Sequence, residues 1–575
     1  MVLAATLLLI PLMGLVVAFG IRTVQPPAMD RMTPAFNPAS AMEYARTLAI
    51  DYPDRVTGSA QAGRAAEYLR SEFQKLGYRV SGDMFSIWLA GHRVVGDSVI
   101  AELKGEIPES VAVIAHYDGQ RTSHQAAEDN ASGVGVMLEL ARAMRSAPRR
   151  RGLIFVATDA EEWGMLGARD LRGFFRARGT LAVISIDYLT RGPSLGIAMG
   201  CEGQRRGYTP LWLRELVGRA GAVQGVQVEG SSPLQSWMER AVEVSAQDQG
   251  PLLTAGIPAI NLSTISPDVS GVRARYHTFD DVFTGFDPAT FKMVGDTVEQ
   301  AVTTLNFLEP PPPPEVKYLL LTRGRWLDRT TLEWLQTLGL LPFVLACALA
   351  VLNFEHDRLP HPGWSYLRPA FYLIPLLGGL AALHALTSTG VLPRYELYPA
   401  TPKDPFLYSI PARMAAPLAG AVLAGYVLLR VLRRFLPPAP GDFAASKRIL
   451  CVWTFVIAIW ALYLDPFAMW LFLGPLFYAV ILLQRPSNLP ARVSNALVLA
   501  AAAAPFVGLL YYFGQQIYLG WRILWYVVLQ TAYGVWSTPA VLLVMLAVVV
   551  WTRLFYLTVL GRPLQVRHPA APKAA

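Results

Sequence analysis

Between Leu335 and Leu557 the chain is a succession of long apolar runs, more than any water-soluble core can absorb. They are Leu335–Phe354, Ala370–Gly390, Ala415–Leu432, Ile449–Leu464, Phe467–Leu483, Ala496–Phe513, Tyr518–Trp536 and Thr538–Leu557. A helix needs about 20 residues to cross a hydrocarbon core of about 30 Å. The spacing therefore predicts a lipid-embedded domain of about eight helices over residues 335–557, followed by a tail at 558–575. The pair split by Asp465-Pro466 is short enough to be one re-entrant hairpin. Trp and Tyr gather near the run ends, as interfacial belts require. Val2–Ile21 is a further uncharged stretch without the basic flank of a signal peptide, so residues 1–22 are expected to form an N-terminal transmembrane anchor.

Charge follows the same division. Charged residues make up only 16% of the chain, against about 25% in soluble domains. Residues 331–575 hold 17 Lys/Arg and 7 Asp/Glu, so the overall net of +8 leaves −2 for the first 330 residues. A basic excess that tracks apolar runs is a topology signal rather than a nucleic-acid surface, and no nucleic-acid partner is expected. Arg430, Arg433, Arg434, Lys447 and Arg448 mark the loop after the third run as cytoplasmic. Counting back sets the preceding domain on the non-cytoplasmic side, periplasmic or lumenal. Arg485 and Arg492 agree with that count, whereas Arg553, Arg562, Arg567 and Lys573 do not. Three cysteines (Cys201, Cys347, Cys451) cannot build a disulfide framework. Oligomeric state has no signature here.

Residues 38–308 read as a soluble α/β domain. Helical spacing covers Ala41–Ile50, Gly58–Leu76 and Gly133–Met144, the last with Ser132 as its cap, and Asp287–Leu308 closes the domain as a long helix. Unbroken apolar segments at Val111–Ala115, Leu153–Ala157, Leu181–Ile186 and Ala259–Leu262 predict buried strands. Short apolar strands between helices imply a mostly parallel sheet covered by helices on both faces. Five prolines, Pro310–Pro314, then favour stiff polyproline II, and residues 309–334 are expected to be a linker and juxtamembrane segment.

The chemistry gathers at strand ends. His116-Tyr117-Asp118 follows the first strand, Asp159-Ala160-Glu161-Glu162 the second and Asp187 the third. Open α/β sheets form their sites outside the carboxyl ends of strands. Glu128-Asp129-Asn130 at a helix start and Tyr276-His277-Thr278 add to the set. His116, Asp129, Glu162, Asp187 and His277 supply two imidazoles and three carboxylates. Nitrogen and oxygen donors without thiolate suit zinc, with manganese or cobalt as substitutes. One catalytic zinc uses three protein ligands and a water, so five suit two metals sharing a carboxylate.

The segments Ala115-His-Tyr-Asp118, Glu128-Asp-Asn-Ala-Ser-Gly133, Thr158-Asp-Ala-Glu-Glu-Trp-Gly164 and Tyr276-His-Thr278 resemble, in order and spacing, the motifs of the M28 family of zinc peptidases. The likeness covers roughly Ala41–Leu308. The architecture of an N-terminal span plus a multi-helix C-terminal region is similar to the endoplasmic-reticulum metallopeptidase and vacuolar membrane protease branch. The resemblance implies a zinc-aminopeptidase-like fold and a membrane-anchored exopeptidase acting on peptides. It also implies two Zn2+ bridged by Asp129, one held by His116 and Asp187 and the other by Glu162 and His277. Glu161 is then the general base, and Tyr276 hydrogen-bonds the oxyanion. Asp118 and Asp281 are expected to accept the outer N–H of the ligand imidazoles, the usual orienting contact. A departure stands at Ala246-Gln247-Asp248-Gln249, where the family often carries Ser-Asp-His. Arg191 is expected to pair with a neighbouring acid. Two other readings stay open: a single-zinc enzyme like glutaminyl cyclase, and a non-catalytic membrane scaffold or transporter with a sensor domain.

Overall fold

A strand such as Val111–Ala115 has no polar face to offer water, so both of its sides must be covered. In the computed structural model it lies in the middle of an eight-stranded mixed sheet. The structure describes residues 2–561 except 24–27, 204–206, 243–244, 310–316, 323, 353–361, 396–411, 436–441, 465–466 and 468–473. The sheet strands are β1 (Arg79–Leu89), β2 (His92–Leu103), β3 (Ile107–His116), β4 (Arg151–Thr158), β5 (Thr180–Ile186), β6 (Ile197–Gly200), β7 (Val228–Gly230) and β8 (Ala259–Thr264). Their spatial order is β1-β2-β4-β3-β5-β8-β6-β7. The four apolar strands run parallel, β4 to β3, β3 to β5 and β5 to β8. The flanks are antiparallel joins, β2 against β4 and β6 against β8. β1 and β2 form a hairpin that turns through Ala90-Gly91, with Leu89 opposite His92. Both turn residues have positive φ, as tight hairpin turns demand. The sequence marks only the four central strands. β1 lies at the sheet edge with most of its residues exposed or half-buried, so it carries no apolar run.

Alternation along β3 divides the core. Val111, Val113 and Ala115 join a cluster with Leu69, Phe73, Met137, Leu140, Phe155 and Phe291. Ala112 and Ile114 face the other way, onto Phe175, Leu252 and Leu253. A period of two on a sheet buried on both faces produces this split.

The helices expected from spacing are present as α1 (Pro38–Asp51), α2 (Ala60–Lys75), α3 (Ser132–Met144) and α4 (Pro288–Phe307). Side-chain caps set three of their starts. Asn37 accepts from the Ala39 N–H, Ser59 from Ala62 and Asp287 from Ala289. Ser132 is not a cap, because it is already helical. Its hydroxyl donates to the Glu128 carbonyl at 2.9 Å, and Asn130 Oδ1 accepts the Gly133 N–H at 3.0 Å.

The chain divides into two compact units. One comprises Arg22–Asp328 with Arg394–Asp404 and contains the sheet; the other comprises Met1–Ile21, Arg329–Pro393 and Pro405–Ala575. Among the described residues the second unit holds six helices long and apolar enough to cross a membrane: Arg329–Leu349, Gly363–Ser388, Arg413–Leu432, Phe443–Leu464, Leu489–Gln516 and Thr538–Thr558. The fifth and seventh expected runs show shorter helices among the described residues. The seventh run is broken by a 3-10 turn at Gly520–Arg522 and retains only the short helix Ile523–Ala532. The fifth retains only Gly474–Leu482, with residues 468–473 undescribed. Val2–Gly20 is a helix of 19 residues without a charged side chain. Within this unit Cys347 and Cys451 bring their sulfurs to 3.2 Å. Pro310–Pro314, Asp465-Pro466 and residues 562–575 lie outside the described residues.

Phe155 is 1% exposed and meets the Tyr78 ring edge-on at 5.6 Å between centroids. Phe155→Ala is expected to remove about 3–5 kcal/mol of stability from the sheet-containing unit, the usual cost of emptying a buried aromatic site. The check is the thermal midpoint of the detergent-solubilised chain, which should fall by several degrees.

Candidate metal centre

Three parallel strands end at one edge, and each delivers part of the site. His116 is the last residue of β3, Glu161 and Glu162 lie in the turn after β4, and Asp187 follows β5. The Asp187 N–H is held by the Leu262 carbonyl at 2.9 Å. Asp129 comes from the short helical turn Ala127–Ala131 that leads into α3, and the Asp129–Asn130 peptide is cis. His277 follows the helix Val269–Arg275 and has φ +53°.

These five residues converge. His116 Nε2 is 3.2 Å from Asp129 Oδ1 and 3.3 Å from Asp187 Oδ1. His277 Nε2 is 3.2 Å from Asp129 Oδ2 and 3.0 Å from Glu162 Oε2. The donors form two triads that share Asp129, with all donor atoms of a triad within 4.8 Å of one another. Asp129 turns one oxygen toward each imidazole, which is what a bridging carboxylate must do. Every member is buried, and Glu162 Oε1 has no hydrogen-bond partner among the described residues. An orphaned carboxylate oxygen inside an acid-rich pocket is costly unless a cation meets it. Imidazole nitrogens with carboxylate oxygens at this spacing fit divalent transition metals such as zinc.

The two acids expected to orient the imidazoles also hold main chain, and Asp118 alone lies beside its imidazole. His116 Nδ1 lies 3.2 Å from the Asp118 carbonyl oxygen and 3.5 Å from its carboxylate. The Asp118 carboxylate accepts the N–H groups of Glu161 (3.1 Å) and Glu162 (3.2 Å), so it shapes the turn that carries both glutamates. Asp281 accepts the N–H of Glu128 at 2.7 Å and that of Asp129 at 3.3 Å, together with the Ser123 hydroxyl at 3.2 Å. His277 Nδ1 has no hydrogen-bond partner among the described residues. Asp281 therefore fixes the loop beneath the shared ligand rather than the ring. The Tyr276 ring stacks on His277 with centroids 3.7 Å apart.

Electrostatics reflect the crowding. Burial raises the Glu161 carboxyl well above its usual range, reinforced by Asp187, Asp248 and Glu162 and opposed by His116. Burial likewise pushes Glu162 up to about 7. Asp129 moves the other way: burial works against its ionisation, but His116 and His277 together hold it well below the carboxylate range. Desolvation opposes charge on His277, yet Glu162 and Asp129 raise it to about 10. Burial raises the Tyr276 hydroxyl well above 10, with Asp129, Glu162, Glu161 and Asp187 adding to the effect.

Sequence reasoning missed two supporting groups. Arg55, 1% exposed, donates to five main-chain carbonyls, those of Tyr117, Leu48, Tyr52, Gln125 and Ala126, at 2.7–3.1 Å. Burial pulls its pKa down to about 10, with Asp281 and Asp118 opposing. Asp248 is 2% exposed, accepts the Thr158 hydroxyl at 2.5 Å and is raised to about 7 by burial. Its one sequence signal was its place in the departure from the family pattern. Arg191 forms no acid pair among the described residues and donates to the carbonyls of Asp280 and Val282 instead. Glu128, the nearby acid, is taken by Arg275 at 2.6 Å.

Residues 98–302 match the sequence model described as Peptidase family M28. The chain is 35% identical over 197 residues to the alkaline phosphatase isozyme conversion protein of Escherichia coli (strain K12), covering 30% of this chain and 55% of that protein. It is 26% identical over 200 residues to aminopeptidase YwaD of Bacillus subtilis (strain 168), covering 34% of this chain and 41% of that one. It thus spans about half the length of these relatives. Among solved structures, a zinc aminopeptidase from Bacillus subtilis superposes with a TM-score of 0.41 at 17% identity, over 50% of this chain and 99% of that one. A Porphyromonas gingivalis glutaminyl cyclase gives 0.40 at 21% identity, over 47% and 99%. The motif order, the converging donors and the matched segment agree in likening residues 98–302 to peptidase family M28.

Proposed function

We propose that this chain is a membrane-anchored, zinc-dependent exopeptidase, an aminopeptidase acting on peptides on the non-cytoplasmic side. The observation that carries the reading is the pair of donor triads sharing Asp129. Two triads favour two zinc ions over the single ion of a cyclase-like enzyme. His116 and Asp187 would hold one ion, Glu162 and His277 the other, and Asp129 both. Bound zinc supplies Lewis-acid polarisation and lowers the pKa of a coordinated water from 15.7 toward about 7.

The chain's own residues supply the rest. Glu161 stands beside the ligand Glu162, is itself outside both triads, and is 8% exposed. Its carboxylate accepts the proton of the attacking water and returns it to the leaving amine. Burial and neighbouring acids raise its proton affinity, which suits a group that must both take and give a proton. Asp118 fixes the main chain of that turn. Tyr276, packed on His277, directs its hydroxyl to the developing oxyanion. The apolar helices anchor the domain at the bilayer.

Glu161→Gln is expected to retain about two zinc ions per chain while its turnover on aminoacyl amides falls by about 10²–10⁴-fold, the usual worth of a positioned acid–base group. Elemental analysis and initial rates read the two separately, and loss of zinc in this variant would reassign Glu161 as a ligand. Chelation should abolish hydrolysis and zinc readdition restore it; a stoichiometry near one would favour the cyclase-like reading. Asp281→Asn should weaken metal affinity by about 10–100-fold, as loss of a supporting contact does, measured by competition with a chromophoric chelator.

A further inference from the structure

The sheet-containing unit is not closed by Arg22–Asp328; Arg394–Asp404 packs with it. Of that segment Arg394 and Tyr395 are described, and three contacts dock them. The Gly91 N–H donates to the Arg394 carbonyl at 2.8 Å. The Arg394 guanidinium lies 4.4 Å from the Trp88 ring centroid. The Tyr395 ring stacks on Trp163 with centroids 6.3 Å apart and planes 14° from parallel.

Trp163 directly follows Glu161-Glu162. Polar bonds hold the main chain of that turn: Asp118 takes the N–H of both glutamates, Gly164 and Met165 donate to the Glu161 carbonyl, and Gln120 donates to that of Glu162. The root of the turn is apolar. The Trp163 side chain, 4% exposed, packs with Ile87, Leu89, Ala160 and Leu166, with Tyr395 against the same cluster. An aromatic pair in this offset geometry contributes about 0.5–1.5 kcal/mol beyond its buried area.

We propose that Tyr395, braced by Arg394, is a positioning residue for the Glu161–Glu162 turn. Resting on the peptidase reading above, this means that the catalytic unit takes one of its supports from residues encoded some 65 positions after it leaves the contiguous domain at Asp328. The support acts through Trp163 and touches no substrate. Its ring makes the contact with Trp163.

The test uses the full-length, detergent-solubilised, zinc-loaded chain and a panel of aminoacyl aminomethylcoumarins. Tyr395→Ala should lower kcat about tenfold, since displacements of an ångström near reacting groups cost up to 10²-fold, with KM nearly unchanged and both zinc ions retained. Tyr395→Phe should restore kcat. In a Trp163→Leu background Tyr395→Ala should cost nothing further, as expected for residues acting through one contact. Amide hydrogen exchange across residues 160–167 should be faster in Tyr395→Ala than in wild type, a readout that needs no turnover. Unchanged exchange in that stretch overturns the inference. So do wild-type kcat in Tyr395→Ala, a Phe variant no better than Ala, or losses that multiply in the double variant. Faster exchange in Tyr395→Ala, together with a wild-type chain that cleaves no substrate, would instead uphold the support and refute the peptidase reading.

Discussion

The structure of the site depends on packing negative charge where water cannot screen it. Asp129, Glu161, Glu162, Asp187 and Asp248 are all buried around two imidazoles. Carboxylates so placed either take up protons or gather cations, and burial and the neighbouring imidazoles push them in opposite directions. Asp129, between two imidazoles, stays ionised, while Glu161, Glu162 and Asp248 are driven toward their protonated forms. Divalent ions resolve that conflict. The fold holds the groups against their mutual repulsion, and the main-chain hydrogen bonds of Asp118 and Asp281 do much of that work.

This explains why so many supporting groups grip backbone rather than ligand side chains. A ligand ring can be turned by its ion, but the loop that carries it must already be in place. Asp281 holds the approach to Asp129, and Asn130 Oδ1 accepts N–H groups from Gly133 and Tyr188, joining the start of α3 to the chain beyond β5. The parallel strands deliver three of the ligand-bearing segments to one edge, and these loops then bring in the remaining two ligands.

The candidate donors were legible because metal chemistry is written in residue type and because His116, Glu162 and Asp187 sit where apolar strands stop. The central strands were legible for the same reason: burial on both faces leaves an unbroken apolar run. β1, with most of its residues outside the core, left no such trace, nor did the short β6 and β7. That Asp118 and Asp281 also take main-chain N–H groups was not legible, because nearness in sequence says nothing about which N–H a carboxylate will find. Hydropathy alone gave no sign of the 3-10 turn at Gly520–Arg522 inside the run Tyr518–Trp536. The return of Arg394 and Tyr395 to the sheet-containing unit is a long-range contact with no local pattern to announce it.

Arg55 has a consequence for how this chain can vary. Its five acceptors are all peptide carbonyls, and every amino acid possesses one. Leu48, Tyr52, Tyr117, Gln125 and Ala126 can therefore be exchanged for others of fitting size without breaking the knot that ties three stretches of chain together. Position 55 has no such latitude: an ammonium on a flexible stem lacks the planar fork that reaches in several directions at once. The knot is insensitive to its surroundings and wholly intolerant at its centre.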